Sequence, residues 1–273
     1  MKGTRFEVRS LSKCYGEHRA LCDVSFIVEA GENLAILGPS GSGKSTVLRL
    51  LAGLEAPDSG QVLLNDRHVS GPGQIILAPH RRGISMVFQD LALWPNLSAH
   101  DNVLMGLSGL SLSRPEALAR TREALSLCGV EELAHRKPGA MSGGQQQRIA
   151  LARAIAVRPA FLLMDEPYAG LDLVIKSRLL AEVHALTALQ KMTVILVTHD
   201  PWEAMSLCRS ALVLDQGCLV EAGPLTELLR EPRSDLLCIF RDEFRRHEPK
   251  PKPAAEESEE LSRAAFSTSC LPS

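Results

Sequence analysis

The stretch Gly38-Pro39-Ser40-Gly41-Ser42-Gly43-Lys44-Ser45-Thr46 fits the pattern G-x-x-x-x-G-K-[ST]. It follows residues 33–37, whose apolar character favours a buried strand, and it precedes a helical pattern that begins at Lys44. Glycines at these positions let backbone N–H groups curl around phosphate oxygens, and the start of the helix adds positive potential. The strand, the loop and the helix in this order therefore predict a phosphate-binding loop.

Two side chains of this loop carry chemistry of their own. The amine of Lys44 is expected to reach the β- and γ-phosphates of a nucleotide, and the hydroxyl of Ser45 is expected to bind Mg²⁺. The alternative is a glycine-rich turn with a surface lysine. The flanking strand and helix argue against that alternative.

Two adjacent carboxylates follow a second apolar run, residues 161–164. Ligands of open α/β sheets bind at the carboxyl ends of strands, so Asp165 is expected to hold the Mg²⁺ shell. Side chains alternate along a strand, which turns Glu166 towards a water near the γ-phosphate and makes it a candidate general base. Taken alone, the pair could equally be a solvated strand end.

The rest of the chain continues the alternation of strands and helices. Continuous apolar runs at 34–37, 161–164 and 194–197 are typical of parallel strands that are covered on both faces. Helical patterns occupy residues 44–52, 115–128, 145–157 and 173–191. Because strands and helices alternate, the predicted architecture is α/β.

Three further regions depart from this rhythm. Short β signals at 6–9, 24–28 and 62–64 predict a small antiparallel sheet beside the parallel core. Residues 89–140 are predicted to form an inserted, almost wholly helical subdomain. The fold prediction is therefore a P-loop NTPase core with both additions over residues 1–247, followed by a disordered tail at 248–273.

Composition narrows the range of functions. The 30 basic and 32 acidic residues give a formal charge of −2, which argues against nucleic acid as a general partner. The seven cysteines are scattered without a C-x-x-C pair, which favours a reducing compartment. No secretory signal and no run of eighteen apolar residues is present, so we expect an intracellular chain that does not span a membrane itself.

The run Met141-Ser142-Gly143-Gly144-Gln145-Gln146-Gln147-Arg148 resembles the LSGGQ signature of ABC transporters. Together with the preceding motifs, this run makes the chain similar to the ATP-binding subunit of such a transporter over residues 4–240. The resemblance implies that Ser142, Gly143, Gly144 and Gln145 contact the ATP that is bound by an opposite subunit. Ser142 and Gln145 also have the spacing of a capping box, and both interpretations can hold together.

Other motifs of the family occur in the expected order. The resemblance implies that Tyr15 stacks on adenine, that Gln89 contacts Mg²⁺ and the attacking water, that Asp172 crosses the dimer interface, and that His199 binds the γ-phosphate. The implied cofactors are ATP and Mg²⁺. The implied ATP-binding residues in one chain are Tyr15, Gly38, Pro39, Ser40, Gly41, Ser42, Gly43, Lys44, Ser45 and Thr46. The Mg²⁺ ligands are Ser45, Gln89 and Asp165, and the catalytic residues are Glu166, His199 and Gln89.

Two subunits, identical or similar, are expected to sandwich two ATP molecules head to tail. Residues 89–98 and 145–154 closely resemble bacterial importers of iron(III), polyamines, sulfate and sugars. This resemblance implies integral membrane permease subunits and a solute-binding protein as partners, at the cytoplasmic face of the cell membrane. An exposed apolar set, Leu91, Leu93 and Trp94, would receive a permease helix, unless these residues instead pack the helical subdomain.

Two other functions use the same scaffold. One is an ATPase for export or lipid extraction, and the other is a soluble ABC protein of DNA repair or translation. A single set of motifs and the lack of a long heptad run argue against the soluble class. Many similar importers carry a C-terminal β-rich regulatory domain, which we do not expect in this chain. The transported solute cannot be read from the sequence.

Overall fold

The structure is a computed structural model that describes residues 5–247. Its strands are, in chain order, β1 Phe6–Tyr15, β2 His18–Val28, β3 Leu34–Leu37, β4 Ser59–Leu64, β5 Arg67–Gly71, β6 Gln74–Ile75, β7 Ile84–Val87, β8 Phe161–Asp165, β9 Thr193–Val197, β10 Ser210–Asp215 and β11 Cys218–Pro224. Its helices are α1 Lys44–Ala52, α2 Ala99–Gly106, α3 Arg114–Leu127, α4 Gly143–Ala156, α5 Leu173–Gln190, α6 Pro201–Leu207, α7 Leu225–Arg230 and α8 Asp235–His247. The predicted tail, residues 248–273, lies outside the described residues.

The central sheet has the order β11-β10-β3-β9-β8-β7. All neighbours in it pair parallel except β10 and β11, which pair antiparallel. The three predicted apolar runs are the fully buried strands β3, β8 and β9. Parallel strands that are buried on both faces need no polar alternation, so the α/β prediction is confirmed.

The predicted antiparallel sheet is also present, with the order β2-β1-β4-β5-β6. A core shared by the two sheets contains the apolar face of α1, and the rings of Phe6 and Phe161 lie 4.7 Å apart across it. The helix that follows the phosphate-binding loop is therefore held by both sheets. Its predicted bounds, Lys44–Ala52, agree with those observed.

The inserted segment is less helical than predicted. Residues 89–98 form turns, and helix α2 begins only at Ala99. The buried side chain of Asn102 explains this loop, because it accepts from Trp94 N at 2.8 Å and donates to the carbonyls of Trp94, Leu97 and Ser98. A side chain that satisfies these backbone groups replaces the hydrogen bonds of a helix.

No helix in the described range, residues 5–247, combines the length and the apolar character that a membrane crossing needs.

A buried arginine joins the end of α1 to the antiparallel sheet. Arg82 is 2% exposed, and its guanidinium donates to the carbonyls of Leu51, Val69 and Leu77 at 2.8, 2.8 and 2.9 Å. Burial lowers its pKa to about 10, which still leaves it charged at neutral pH. Arg82 therefore supplies a donor to the Leu51 and Leu77 carbonyls and an additional one to the Val69 carbonyl, which also accepts from the N–H groups of Ile76 and Leu77 at 3.0 Å.

We expect Arg82→Met to lower the free energy of unfolding by about 3 kcal/mol, since the Leu51 and Leu77 carbonyls and the Ser70 hydroxyl lose a charged donor. Urea denaturation followed by circular dichroism measures this. The neighbouring Arg81 is exposed, so Arg81→Met serves as the control and should change stability by less than about 0.5 kcal/mol. Equal unfolding midpoints for the two variants would contradict the assignment.

Candidate functional site

The topology brings four sequence motifs to one edge of the central sheet. The phosphate-binding loop follows β3, His199 follows β9, Asp165 ends β8, and Gln89 follows β7. These strands are neighbours in the order β3-β9-β8-β7 and run parallel, so their carboxyl ends meet.

A cavity of about 340 Å³ opens at this edge. It is lined by Tyr15, His18, Ala20, Ser40, Gly41, Gly43, Lys44, Ser45, Thr46, Gln89 and Glu166. Most of the residues predicted to bind nucleotide in one chain therefore surround one space. Gly38, Pro39, Ser42 and Asp165 lie next to it, in the loop and at the end of β8.

The loop is enclosed by backbone on two sides, which explains two of its glycines. Gly38 has φ of 152°, and a Cβ there would lie 2.2 Å from the carbonyl oxygen of Leu214 in β10. Gly43 has φ of 99°, and a Cβ there would lie 2.4 Å from the carbonyl oxygen of Ala20 in β2. Neither position has room for a side chain, so both glycines are required by close approach as well as by conformation.

The loop holds a buried cation. Lys44 is 5% exposed, and its Nζ donates to the carbonyls of Gly38 at 2.9 Å and Pro39 at 2.8 Å. Burial lowers its pKa, against the opposing effect of the nearby Glu166 and Asp165 charges. The hydroxyl of Ser42 is also buried, with no hydrogen-bond partner among residues 5–247. A concentrated positive charge with an unsatisfied donor suits a bound anion.

Oxygen ligands for a divalent cation lie beside the loop. Ser45 Oγ donates to Asp165 Oδ1 at 2.9 Å, and the amide of Gln89 lines the same cavity. Burial raises the pKa of Asp165, while the Ser45 hydrogen bond opposes that rise. This hydroxyl, carboxylate and amide set fits Mg²⁺, which prefers oxygen. Over the described residues, no group of three or more His, Cys, Asp or Glu side chains is placed to hold a metal ion.

The predicted general base, Glu166, faces the cavity for a different structural reason from the one expected. Strand β8 ends at Asp165, and Glu166 adopts φ of 43° with its N–H donating to the Val197 carbonyl at 2.9 Å. A left-handed residue, rather than strand alternation, therefore turns Glu166 towards the cavity. Its Oε2 lies 3.4 Å from Nδ1 of His199, which brings the two predicted catalytic side chains together.

The aromatic end of the cavity comes from the antiparallel sheet. Tyr15 ends β1, is 42% exposed, and donates its hydroxyl to Glu55. The motifs in the sequence include neither Glu55 nor His18, which also lines the cavity. Neither residue belongs to a motif, so only their position beside Tyr15 and the loop indicates a role.

The signature segment lies outside this cavity. Ser142 and Gln145 form the capping box that starts α4, with hydrogen bonds of 3.3 and 3.0 Å, so the capping interpretation is confirmed. A Cβ added at Gly144 would lie 3.1 Å from the side chain of Ile175, so helix α4 packs closely on α5 here. Asp172 caps α5, because its carboxylate accepts from the N–H of Ile175 at 3.0 Å. The signature helix and the Asp172 segment are thus in contact, and their role towards a second subunit remains a prediction.

The expected partner surface is smaller than predicted. Leu91 and Leu93 are half-buried and pack on the core, while Trp94 remains 45% exposed. The guanidinium of Arg153 lies 5.2 Å from the Trp94 ring and donates to the carbonyls of Leu91 and Ala92 at 2.7 and 2.6 Å. The prediction of an exposed set was therefore wrong for the two leucines, because they pack on the helical insertion.

Known proteins are similar to this chain over most of its length. The family model described as "ABC transporter" matches residues 21–169. The Fe(3+) ions import ATP-binding protein FbpC 1 of Rhizobium meliloti (strain 1021) is 40% identical over 235 residues, which are 86% of this chain and 65% of that protein. The molybdate/tungstate import ATP-binding protein WtpC of Pyrococcus horikoshii is 40% identical over 234 residues, which are 86% of this chain and 66% of that protein.

The chain thus spans 65% and 66% of the length of these two curated relatives. A solved structure, the dimeric post-hydrolysis state of the ATP-binding cassette MJ0796 bound to ADP and Pi, is 32% identical with a TM-score of 0.72. That comparison covers 80% of this chain and 98% of the solved one.

Proposed function

Since the chain belongs to the ABC transporter family, we propose that it is an ATP-hydrolysing subunit that powers the transport of a small solute. The observation that carries this proposal is the single cavity in which Lys44, Ser45, Gln89 and Glu166 meet. A buried cation, oxygen ligands and a carboxylate are the groups that phosphoryl transfer to water requires.

The chain's own residues account for the binding and the proton transfer. The loop amides and Lys44 hold the phosphates of ATP, and the Tyr15 ring stacks on the base. Ser45, Asp165 and Gln89 would hold Mg²⁺, which when bound neutralises charge on the phosphates. Glu166 accepts a proton from the attacking water, and His199, 3.4 Å from it, orients that carboxylate and binds the γ-phosphate.

A second subunit completes the site. The segment Ser142, Gly143, Gly144 and Gln145 does not line the cavity of its own chain. Ser142 and Gly143 are exposed at the N-terminus of helix α4. A helix N-terminus carries positive potential and therefore favours a bound anion. We infer that this segment contacts the γ-phosphate bound by a partner ATPase, identical or similar, in a head-to-tail dimer with Asp172 at the interface. The dimeric state of the structural relative supports this arrangement.

Import is the direction that the relatives support, because both carry import in their names. The two relatives are named for different ions, yet each is 40% identical to this chain. The partner proteins of the ATPase, rather than the ATPase itself, would therefore select the solute. We therefore place the chain on the cytoplasmic face of the cell membrane, bound to integral permease subunits. A solute-binding protein would deliver the solute to these subunits.

Affinity purification of the chain from mildly solubilised native membranes tests this function. We expect a polytopic integral membrane protein to co-purify, together with a solute-binding protein. Recovery of soluble partners or ribosomes alone, with the chain absent from membranes, would contradict transport while leaving ATP hydrolysis intact.

The same purification tests whether Trp94, the exposed aromatic residue of the inserted segment, contacts the permease. We expect Trp94→Ala to reduce recovery of the permease at least about tenfold. Tryptophans that become buried when an interface forms often contribute most of its binding energy. Trp202 is similarly exposed, at 51%, and Trp202→Ala should retain the permease. Equal recovery with both variants would remove Trp94 from the interface.

A further inference from the structure

Two cysteines from different sheets lie side by side. Cys22 is half-buried on β2 of the antiparallel sheet, and Cys218 is exposed at the start of β11 in the central sheet. The N–H of Cys22 donates to the carbonyl of Gly217 at 2.8 Å. The Cys22 thiol raises the pKa of the Cys218 thiol, and burial raises it further. The backbone contact places the two residues beside each other, and the pKa effect agrees with that placement.

The turn before Cys218 is pressed closely against β2. A Cβ on Gly217 would lie 2.8 Å from the carbonyl oxygen of Ala20, so this contact leaves little freedom for the two segments to slide. Cys218 directly follows Gly217, whose carbonyl accepts from the N–H of Cys22, so the backbones of the two cysteines approach each other closely, as a disulfide requires. The two cysteines therefore need little backbone movement to become bonded.

The walls of the phosphate-binding loop are formed by β2 and by β10, the strand that pairs with β11. Gly43 of the loop lies against the Ala20 carbonyl of β2, and Gly38 lies against the Leu214 carbonyl of β10. Cys22 is two residues beyond Ala20, and Cys218 follows the short turn that leaves β10. A covalent bond between the cysteines would join one wall of the loop to the other.

We propose that Cys22 and Cys218 form a reversible disulfide, by exchange with a low-molecular-weight disulfide, and that this bond fixes β2 against the β10–β11 hairpin, the two elements that flank the phosphate-binding loop. The site is a place of covalent modification, and its reaction does not depend on ATP hydrolysis. In a reducing compartment the bond would be transient rather than structural.

The exchange balances in two steps with oxidised glutathione as the oxidant. The thiolate of Cys218, the more exposed partner, attacks one glutathione sulfur, so a Cys218–glutathione bond forms and one glutathione thiolate leaves. The thiolate of Cys22 then attacks the Cys218 sulfur and expels the second glutathione thiolate. The two cysteines lose two electrons and two protons, the electrons reduce glutathione disulfide to two thiols, and the protons reside on those thiols or in the buffer.

Peptide mapping of the full chain tests the proposal. The protein is incubated with oxidised glutathione at mildly alkaline pH, free thiols are alkylated, and the digest is analysed without reduction. We expect a linked pair of peptides that contains Cys22 and Cys218 without attached glutathione. We also expect the melting temperature to rise by about 5 to 15 °C and to return on reduction, because the bond closes a long loop of the unfolded chain.

Three variants make the result specific. Cys14 is exposed on β1, and Cys14→Ser should behave as the wild type. Cys22→Ser should leave glutathione attached to Cys218, and Cys218→Ser, a change at an exposed position, should remove the rise in melting temperature. Wild-type protein without the linked peptides, or with both cysteines carrying glutathione, would overturn the disulfide. Linked peptides without a rise in melting temperature would mean that strain in the bonded strands cancels the constraint on the unfolded chain, which would overturn the inference that the fold already holds the two cysteines at bonding distance.

Discussion

Glu166→Gln is expected to reduce the rate of ATP hydrolysis at least about 100-fold, the range in which loss of a general base usually falls. The glutamate lines the cavity and lies 3.4 Å from His199. Glutamine has the same shape but its amide cannot accept the proton of the attacking water. The variant therefore removes proton transfer while leaving the cavity in place.

ATP binding should survive this substitution, because the loop amides and Lys44 are untouched. A chain that binds ATP and does not hydrolyse it should also accumulate as a closed dimer. Single-turnover hydrolysis, ATP affinity by calorimetry, and size-exclusion chromatography with and without ATP measure the three consequences separately.

The matched control is Glu123→Gln, which removes an exposed carboxylate of α3 that pairs with Arg158 at 2.8 Å. Its hydrolysis rate should stay within about twofold of the wild type, since surface ion pairs contribute little. Turnover by Glu166→Gln within tenfold of the wild-type rate would refute the role of this carboxylate as general base.

Lys44→Met is expected to weaken ATP binding about 100-fold and to abolish measurable turnover. The buried amine is the positive charge nearest the loop, and hydrogen bonds from a charged donor contribute about 1.5 to 3 kcal/mol each. Two such bonds to phosphate oxygens account for roughly 3 kcal/mol or more, which is about 100-fold in the dissociation constant.

The folded state itself should tolerate this change. Burial already lowers the pKa of Lys44, which means that the fold disfavours its charged form. Methionine of similar length removes that cost, which offsets the loss of the hydrogen bonds from Lys44 to the Gly38 and Pro39 carbonyls, so the melting temperature of Lys44→Met should not fall by more than a few degrees. A large fall would mean that loss of binding reflects unfolding instead.

Lys137→Met provides the charge-matched control, because Lys137 is exposed in the inserted segment and lies outside the cavity. It removes the same charge from the chain and should bind ATP as the wild type does. If both lysine variants lost affinity equally, general electrostatic attraction would explain the effect and Lys44 would have no specific role.

Helix α1 and the buried strands of the central sheet were predictable because their signals are local. Strand β3 and helix α1 were found with their observed bounds, and strands β8 and β9 were found to within one residue. The continuous apolar runs report burial on both faces directly. Strands β10 and β11 were not predicted, although residues 211–214 carry an apolar run.

The residues of the candidate site were predicted better than their geometry. Ser45 and Asp165 are separated by 120 positions and hydrogen-bonded at 2.9 Å, a pairing that their motifs had suggested. The orientation of Glu166 was derived from strand alternation, whereas the strand ends one residue earlier and a left-handed backbone turns the side chain. Periodicity applies only within an element, so it cannot describe the residue that leaves it.

The sequence by itself determined the phosphate-binding loop, the α/β class and the residues able to bind phosphate and metal, because glycine spacing, helix caps and apolar runs act over a few neighbouring positions. Tertiary structure alone decided the strand order, the buried position of Arg82 and the contact between Cys22 and the turn that precedes Cys218. These features depend on surfaces from distant parts of the chain that meet only when the two sheets pack around α1, and no local pattern encodes which surfaces will meet.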